Sequence, residues 1–107
     1  MTNKVEVKEL ITCLEKQHEL MKELVGVGQR QLDAIKEDDL SKINSTTQEQ
    51  EKFGRQLALM EKKRRELIFQ FSQEHDNKDM KLSDVMEYAD LDEKHALAEM
   101  SRQIFDE

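Results

Sequence analysis

"AIKEDDLSKINSTTQEQEKF", residues 34–53, lies between two long helical patterns and is almost wholly polar. Read as a linker, it separates two unrelated pieces. Read as a wet stretch of one helix, it makes the chain a rod. Read as the tip of a hairpin, it folds the two patterns against each other. A continuous helix through this stretch would have almost no apolar seam. Asp38 and Asp39 stand directly before Leu40, and aspartate is a good N-cap whose charge suits a helix start. A tight turn near residues 36–39 therefore follows, with the second helix starting at Asp38 or Asp39. Thr46 with Glu49 three residues on forms a competing capping box, but the hairpin is the better reading.

On the N-terminal side, apolar residues step by three and four: Val7, Leu10, Leu14, Met21 and Leu24, with Ile35 at the end. A second stripe, Ile11, His18, Val25 and Leu32, runs one position further on. The pair makes the wide apolar face of a bundle helix, about 5–36. Gly26 and Gly28 each weaken such a helix by about 1 kcal/mol against alanine, and mark a bend or a close approach. On the C-terminal side the pattern Leu40, Ile43, Thr47, Gln50, Phe53, Leu57, Met60, Arg64, Leu67, Phe71 predicts a helix over about 39–73. Residues 74–82 break the period and read as a loop. Ser83 then caps a third amphipathic segment, about 83–105, carrying Val85, Met86, Leu91, Leu97, Met100, Ile104 and Phe105. A short break inside it, with Asp90 or Asp92 starting a new helix, fits "YADLDEKH". The expected fold class is all-α: a long antiparallel hairpin plus a third helical segment, bundle-like, in one domain.

Composition agrees. The 107 residues include no proline and three glycines, and 38% are charged against 36% apolar. Straight-chain helix formers dominate. The charge is uneven: residues 1–71 carry 13 acids and 13 bases, residues 72–107 carry 11 acids and 4 bases. An acidic final third repels phosphate, which argues against nucleic acid and anionic membrane as partners. The lone Cys13 excludes an internal disulfide and suits a reducing compartment. With neither a signal peptide nor a membrane-spanning run in the sequence, a cytoplasmic protein is expected.

Candidate chemistry is thin. Glu15 and His18 have the spacing of half a di-iron site, but the full site needs a second such pair and two further glutamates. Asp92 with His95 is the nearest match, at a different depth. His18 with Lys22 invites a phosphotransfer reading, yet Glu15, Glu19 and Glu23 around them would repel phosphate. Lys62, Lys63, Arg64 and Arg65 point in four directions on a helix, bracketed by Glu61 and Glu66, so a solvated face is the plainer account. Cys13 lies beside the seam without a basic neighbour other than Lys16, and reads as inert. No enzyme, cofactor or metal is expected. The apolar residues Val85, Met86, Leu91, Leu97, Met100 and Ile104 are left as a partner-binding surface. Methionines adapt readily there, and helix-in-groove recognition is the natural mode. Helix faces left bare would also favour self-association.

The stretch "LEKQHELMKELVGVGQRQLDAIKEDDLSKINSTTQEQEKFGRQLALMEKKRREL", residues 14–67, resembles the first two helices of the FlgN-family flagellar export chaperones. The resemblance rests on Leu32 to Ile35 closing a glutamate-rich helix, the acidic turn into Asp39–Leu40, and Gln48, Glu49 and Glu51 leading to "LMEKKRREL". Residues 82–100, "LSDVMEYADLDEKHALAEM", are similar to the segment with which the family starts its next helix. The resemblance implies a cytoplasmic, non-enzymatic chaperone. Such proteins bind the C-terminal ends of the hook–filament junction proteins FlgK and FlgL, prevent premature assembly and deliver them to the export gate. A generic antiparallel coiled-coil adaptor with an unrelated helical partner is the alternative. The family usually continues into a long last helix with an Asn-x-x-Leu-Leu segment. That segment has no counterpart before Glu107, so its binding residues do not transfer, and a chain cut short of it is the expectation.

Overall fold

The computed structural model describes residues 7–76 and 80–105, with the side chain of Phe105 excepted. Residues 5 and 6 of the expected first helix, and 77–79 of the expected loop, lie outside the described residues. Helix α1 spans Val7–Lys36 and α2 spans Leu40–Glu74. A four-residue α3, Leu82–Val85, runs into a 3₁₀ turn, Met86–Tyr88, and α4 spans Leu91–Phe105. Among the described residues there is no strand. The molecule measures 55 × 27 × 21 Å. The long axis is the hairpin of α1 against α2.

The polar stretch contains the hairpin tip, between Lys36 and Leu40, and its remainder is the first part of α2. The two aspartates divide the work of the turn. Asp38 takes the left-handed conformation, with φ 57°, which aspartate tolerates better than most residues. Its N–H donates to the Ile35 carbonyl at 3.1 Å and the Asp39 N–H to the Ala34 carbonyl at 2.9 Å. That pair of bonds is a Schellman closure of α1. Asp39 is then the N-cap of α2, its carboxylate accepting from the Lys42 N–H at 3.1 Å. Thr46, the competing start, is inside α2 and buried, its hydroxyl donating to the Lys42 and Ile43 carbonyls.

How does a polar seam stay closed? The Gln50 amide donates to Gln31 Oε1 and the Gln31 amide donates to Thr47 Oγ1, both at 2.9 Å. The Thr47 hydroxyl passes the chain on to the Ile43 carbonyl at 2.8 Å. Buried polar groups carry little penalty when each is satisfied in this way. Arg30 and Glu49 pair at 3.0 Å on the rim.

Helix α1 carries two interleaved 4-3 repeats. One is Leu10, Cys13, Gln17, Leu20, Leu24, Val27, Gln31 and Ala34, and it faces α2. The other is Val7, Ile11, Leu14, His18, Met21, Val25, Gly28, Leu32 and Ile35. Its first half belongs to the core that α3 and α4 complete at the base of the hairpin: Val7, Leu14, Leu67, Phe71, Val85, Leu97 and Ile104 are buried together there. The sequence pattern sorts these positions differently, placing Ile35 with Leu10 and Cys13 beside the seam. In the structure Cys13 is in the seam, and Ile35 belongs to the other repeat.

Gly26 and Gly28 do not mark the close approach expected of them. Helix α1 runs unbroken through both, and a Cβ at either, or at Gly54, would meet nothing within 4 Å. Their flexibility is therefore spent without a packing return. Gly26→Ala and Gly54→Ala should each stabilise the fold by about 1 kcal/mol. A thermal melt should show each raising Tm by about 4–8 °C; an unchanged or lower Tm would mean that a neighbour does occupy that space.

The third segment is more broken than its pattern suggests. Lys81, not Ser83, is the N-cap position of α3, and its N–H donates to the Asp84 carboxylate at 2.8 Å. The break at Ala89–Asp90 starts α4 with a reciprocal capping box. The Glu93 N–H donates to Asp90 at 2.8 Å and the Asp90 N–H donates to Glu93 at 3.0 Å. The joint is held to the end of α2 by rings: His75 stacks on Tyr88 at 3.8 Å, and Phe71 meets Tyr88 edge-on at 5.6 Å.

Candidate functional site

The base of the hairpin is where α4 docks. Tyr88 fixes its start beside the C-terminal end of α2. Further along, Glu99 comes near His18 of α1. So α4 runs up alongside α1, with its C-terminal end toward the hairpin tip. It packs on α1 and has little backbone contact with α2. Fifteen residues reach about 22 Å, roughly half the length of α1.

The six residues nominated from the sequence divide three ways. Val85, Leu97 and Ile104 are buried in the core, Leu97 with no exposure at all. Met86 and Met100 are half-buried at its edge. Leu91 is 68% exposed. The reason is helical phase. Leu97, Met100 and Ile104 follow a three-then-four step, while Leu91 falls six residues before Leu97 and points away. Met86 is in the 3₁₀ turn, outside α4 altogether.

Electrostatics here are mild. Hydrogen bonds from Arg102, at 2.6 Å, and from Gln103 hold the Glu99 carboxylate below the usual range. The group is at the surface, so its pair with Arg102 adds little stability. The basic block behaves unevenly. Lys62, Lys63 and Arg65 are exposed, while Arg64 turns into the hairpin and donates to the buried Gln17 amide oxygen at 3.1 Å. A solvated face therefore describes three of the four residues.

Cys13 is 3% exposed and its Sγ–H donates to the Met60 carbonyl at 3.2 Å. Burial pushes its thiol up, outweighing the pull of Lys63 and Arg64. The folded thiol should react with iodoacetamide at least about a hundredfold more slowly than the urea-unfolded one. A raised folded pKa also fixes the sign of the pH effect. The protonated thiol's contribution to stability is full below about pH 8.5 and is lost as pH rises through the folded value. Fast alkylation of the native protein at pH 7.5 would contradict the buried placement.

Among the described residues no three His, Cys, Asp or Glu side chains are gathered to hold a metal ion, and no helix is long and apolar enough to cross a membrane. Glu15, Asp92 and His95 are exposed and His18 is half-buried against the α4 side. The site is a surface of apolar helix edges, and what such a surface can do is bind another helix.

Compared with known protein families, the chain matches the one described as FlgN protein over residues 1–106. The chain belongs to the FlgN family. That makes the protein a flagellar export chaperone, of a family that binds export substrates rather than transforming them. No curated protein and no solved structure matched it. The all-α hairpin with further helices agrees with the family expectation.

Proposed function

We propose that the protein holds the C-terminal helical ends of hook–filament junction proteins, of the FlgK and FlgL type, against the α4 end of the molecule. It keeps them unassembled in the cytoplasm and presents them to the export gate. The observation that carries this reading is the lopsided seating of α4. It leans on α1, is joined to α2 through a broken segment, and has Met100 at its edge with Met86 in the turn before it. A cargo helix that packs in the finished filament carries an apolar stripe while it waits. Met86, Met100 and Leu91 offer an adaptable edge for that stripe. Val85, Leu97 and Ile104 join the interface when the cargo helix slides between α4 and α2.

The test mixes the chaperone with a full-length FlgK-type junction protein and follows the complex by light scattering. The expected result is a one-to-one complex that stays soluble and is lost when the last turns of the cargo are deleted. A complex that survives that deletion would place recognition elsewhere on the cargo. No complex at all would overturn the proposal.

A further inference from the structure

Along one line of the hairpin seam, polar residues recur at every second heptad. On α1 the line reads Leu10, Gln17, Leu24, Gln31, and on α2 it reads Gln50, Leu57, Arg64, Phe71. Hydrogen bonds tie the polar members together across the seam. Arg64 donates to the buried Gln17 at 3.1 Å, and Gln50 donates to Gln31 at 2.9 Å. Gln17 and Gln31 are two heptads apart on α1, and so are Gln50 and Arg64 on α2. The same antiparallel alignment therefore sets Leu10 at the height of Phe71 and Leu24 at that of Leu57. Every layer joins like with like.

A slip of one heptad keeps the seam in phase and breaks every match. In one direction Gln17 meets Phe71, Leu24 meets Arg64 and Gln31 meets Leu57. In the other, Leu10 meets Arg64, Gln17 meets Leu57 and Leu24 meets Gln50. Each such layer turns an amide or a guanidinium toward hydrocarbon and away from the partner it needs. The first slip has its own helix start. Thr46 and Glu49, the second capping signal, stand one heptad after Asp39 and Lys42. Starting α2 at Thr46 would move it one heptad along α1, about 10 Å.

We propose that the two polar layers are a register code, which holds the start of α2 at Asp39 against Thr46. The code thereby keeps Leu10 and Phe71 in the buried base that α3 and α4 complete. Polar residues at seam positions fix the alignment of paired helices in this way, at some cost in stability. A slip of two heptads restores the matches but leaves about half of α1 without α2 beside it. The code acts inside the hairpin, so the proposal and the export-chaperone reading stand or fall separately.

The test recodes α1 alone, as Gln17→Leu, Leu24→Gln and Gln31→Leu, which moves the matches to the slipped alignment. Spin labels on Glu19→Cys and Lys52→Cys, both at exposed positions, report the alignment by pulsed electron resonance. Cys13 is buried and stays unlabelled. The natural sequence should give one distance. Recoding α1 should lengthen it by about 5–10 Å as α2 slides one heptad. Recoding α2 as well, with Gln50→Leu, Leu57→Gln and Arg64→Leu, restores the matches at the Asp39 start and should restore the first distance. A folded α1-recoded chain that keeps the first distance would overturn the proposal. So would a doubly recoded chain that does not return to it. If the α1-recoded chain loses its helices and the doubly recoded chain regains them at the first distance, the matching of layers is again what sets the alignment.

Discussion

Leu14→Ala is expected to lower the unfolding free energy by about 3 kcal/mol. Leu14 has no exposure, and it sits where the α1 seam meets the core closed by α3 and α4. Toward the tip the hairpin is held by amides and a threonine as well as by apolar side chains, so little there compensates for a cavity at the base. For a chain of this size, whose whole stability is about 5–15 kcal/mol, Tm should fall by about 15 °C. A urea titration and a thermal melt measure the change. A loss below about 1 kcal/mol would mean that the base collapses around the smaller side chain, and that the core is not the main support of the fold.

Leu97→Asp should act differently. The site has no exposure, and a carboxylate there is worse than a cavity, because an unpaired buried charge is destabilising by about 3–5 kcal/mol. The chain has a less costly escape: α4 can leave. It packs chiefly on α1, and its loss uncovers the base without opening the Gln31–Thr47–Gln50 chain at the tip. Circular dichroism should then lose about the share of helix that α4's 15 of 107 residues represent, while hydrogen exchange stays slow around the tip. Leu91→Asp, at a 68% exposed position, should change stability by less than about 0.5 kcal/mol. Full unfolding by Leu97→Asp would show the hairpin unable to stand without α4.

Legibility of the fold followed how each position earns its place. Asp38 and Asp39 announced the turn because αL tolerance and N-capping are local chemistry, written in one or two residues. The assignment of one role to each needed the backbone. The α2-facing seam was harder. Cys13, Gln17, Gln31 and Ala34 belong to it, yet two of them are amides and one is small, so a pattern built on large apolar residues passes over them. Their signal was the unbroken 4-3 spacing rather than hydrophobicity. Ser83 looked like a cap because serine commonly is one, whereas Lys81 takes that position, helped by Asp84. The nominated residues share one segment of the sequence, and the structure gives them different degrees of burial. An amphipathic pattern reports that an apolar face is used, and it does not distinguish a face used within the chain from one offered to a partner. Leu97 and Leu91 carry the same side chain and have opposite exposures.

That distinction decides the most direct measurement: calorimetric titration of the protein with a C-terminal peptide from a FlgK-type junction protein, beside the same titration of Leu91→Asp and Met100→Asp. Both substitutions avoid the fully buried positions, so a loss of binding reports the surface more than the fold. Saturable one-to-one binding that weakens about tenfold or more in each variant is the predicted result. Absent binding, or binding equally strong in all three proteins, would contradict the claim that export substrates are held at the α4 end.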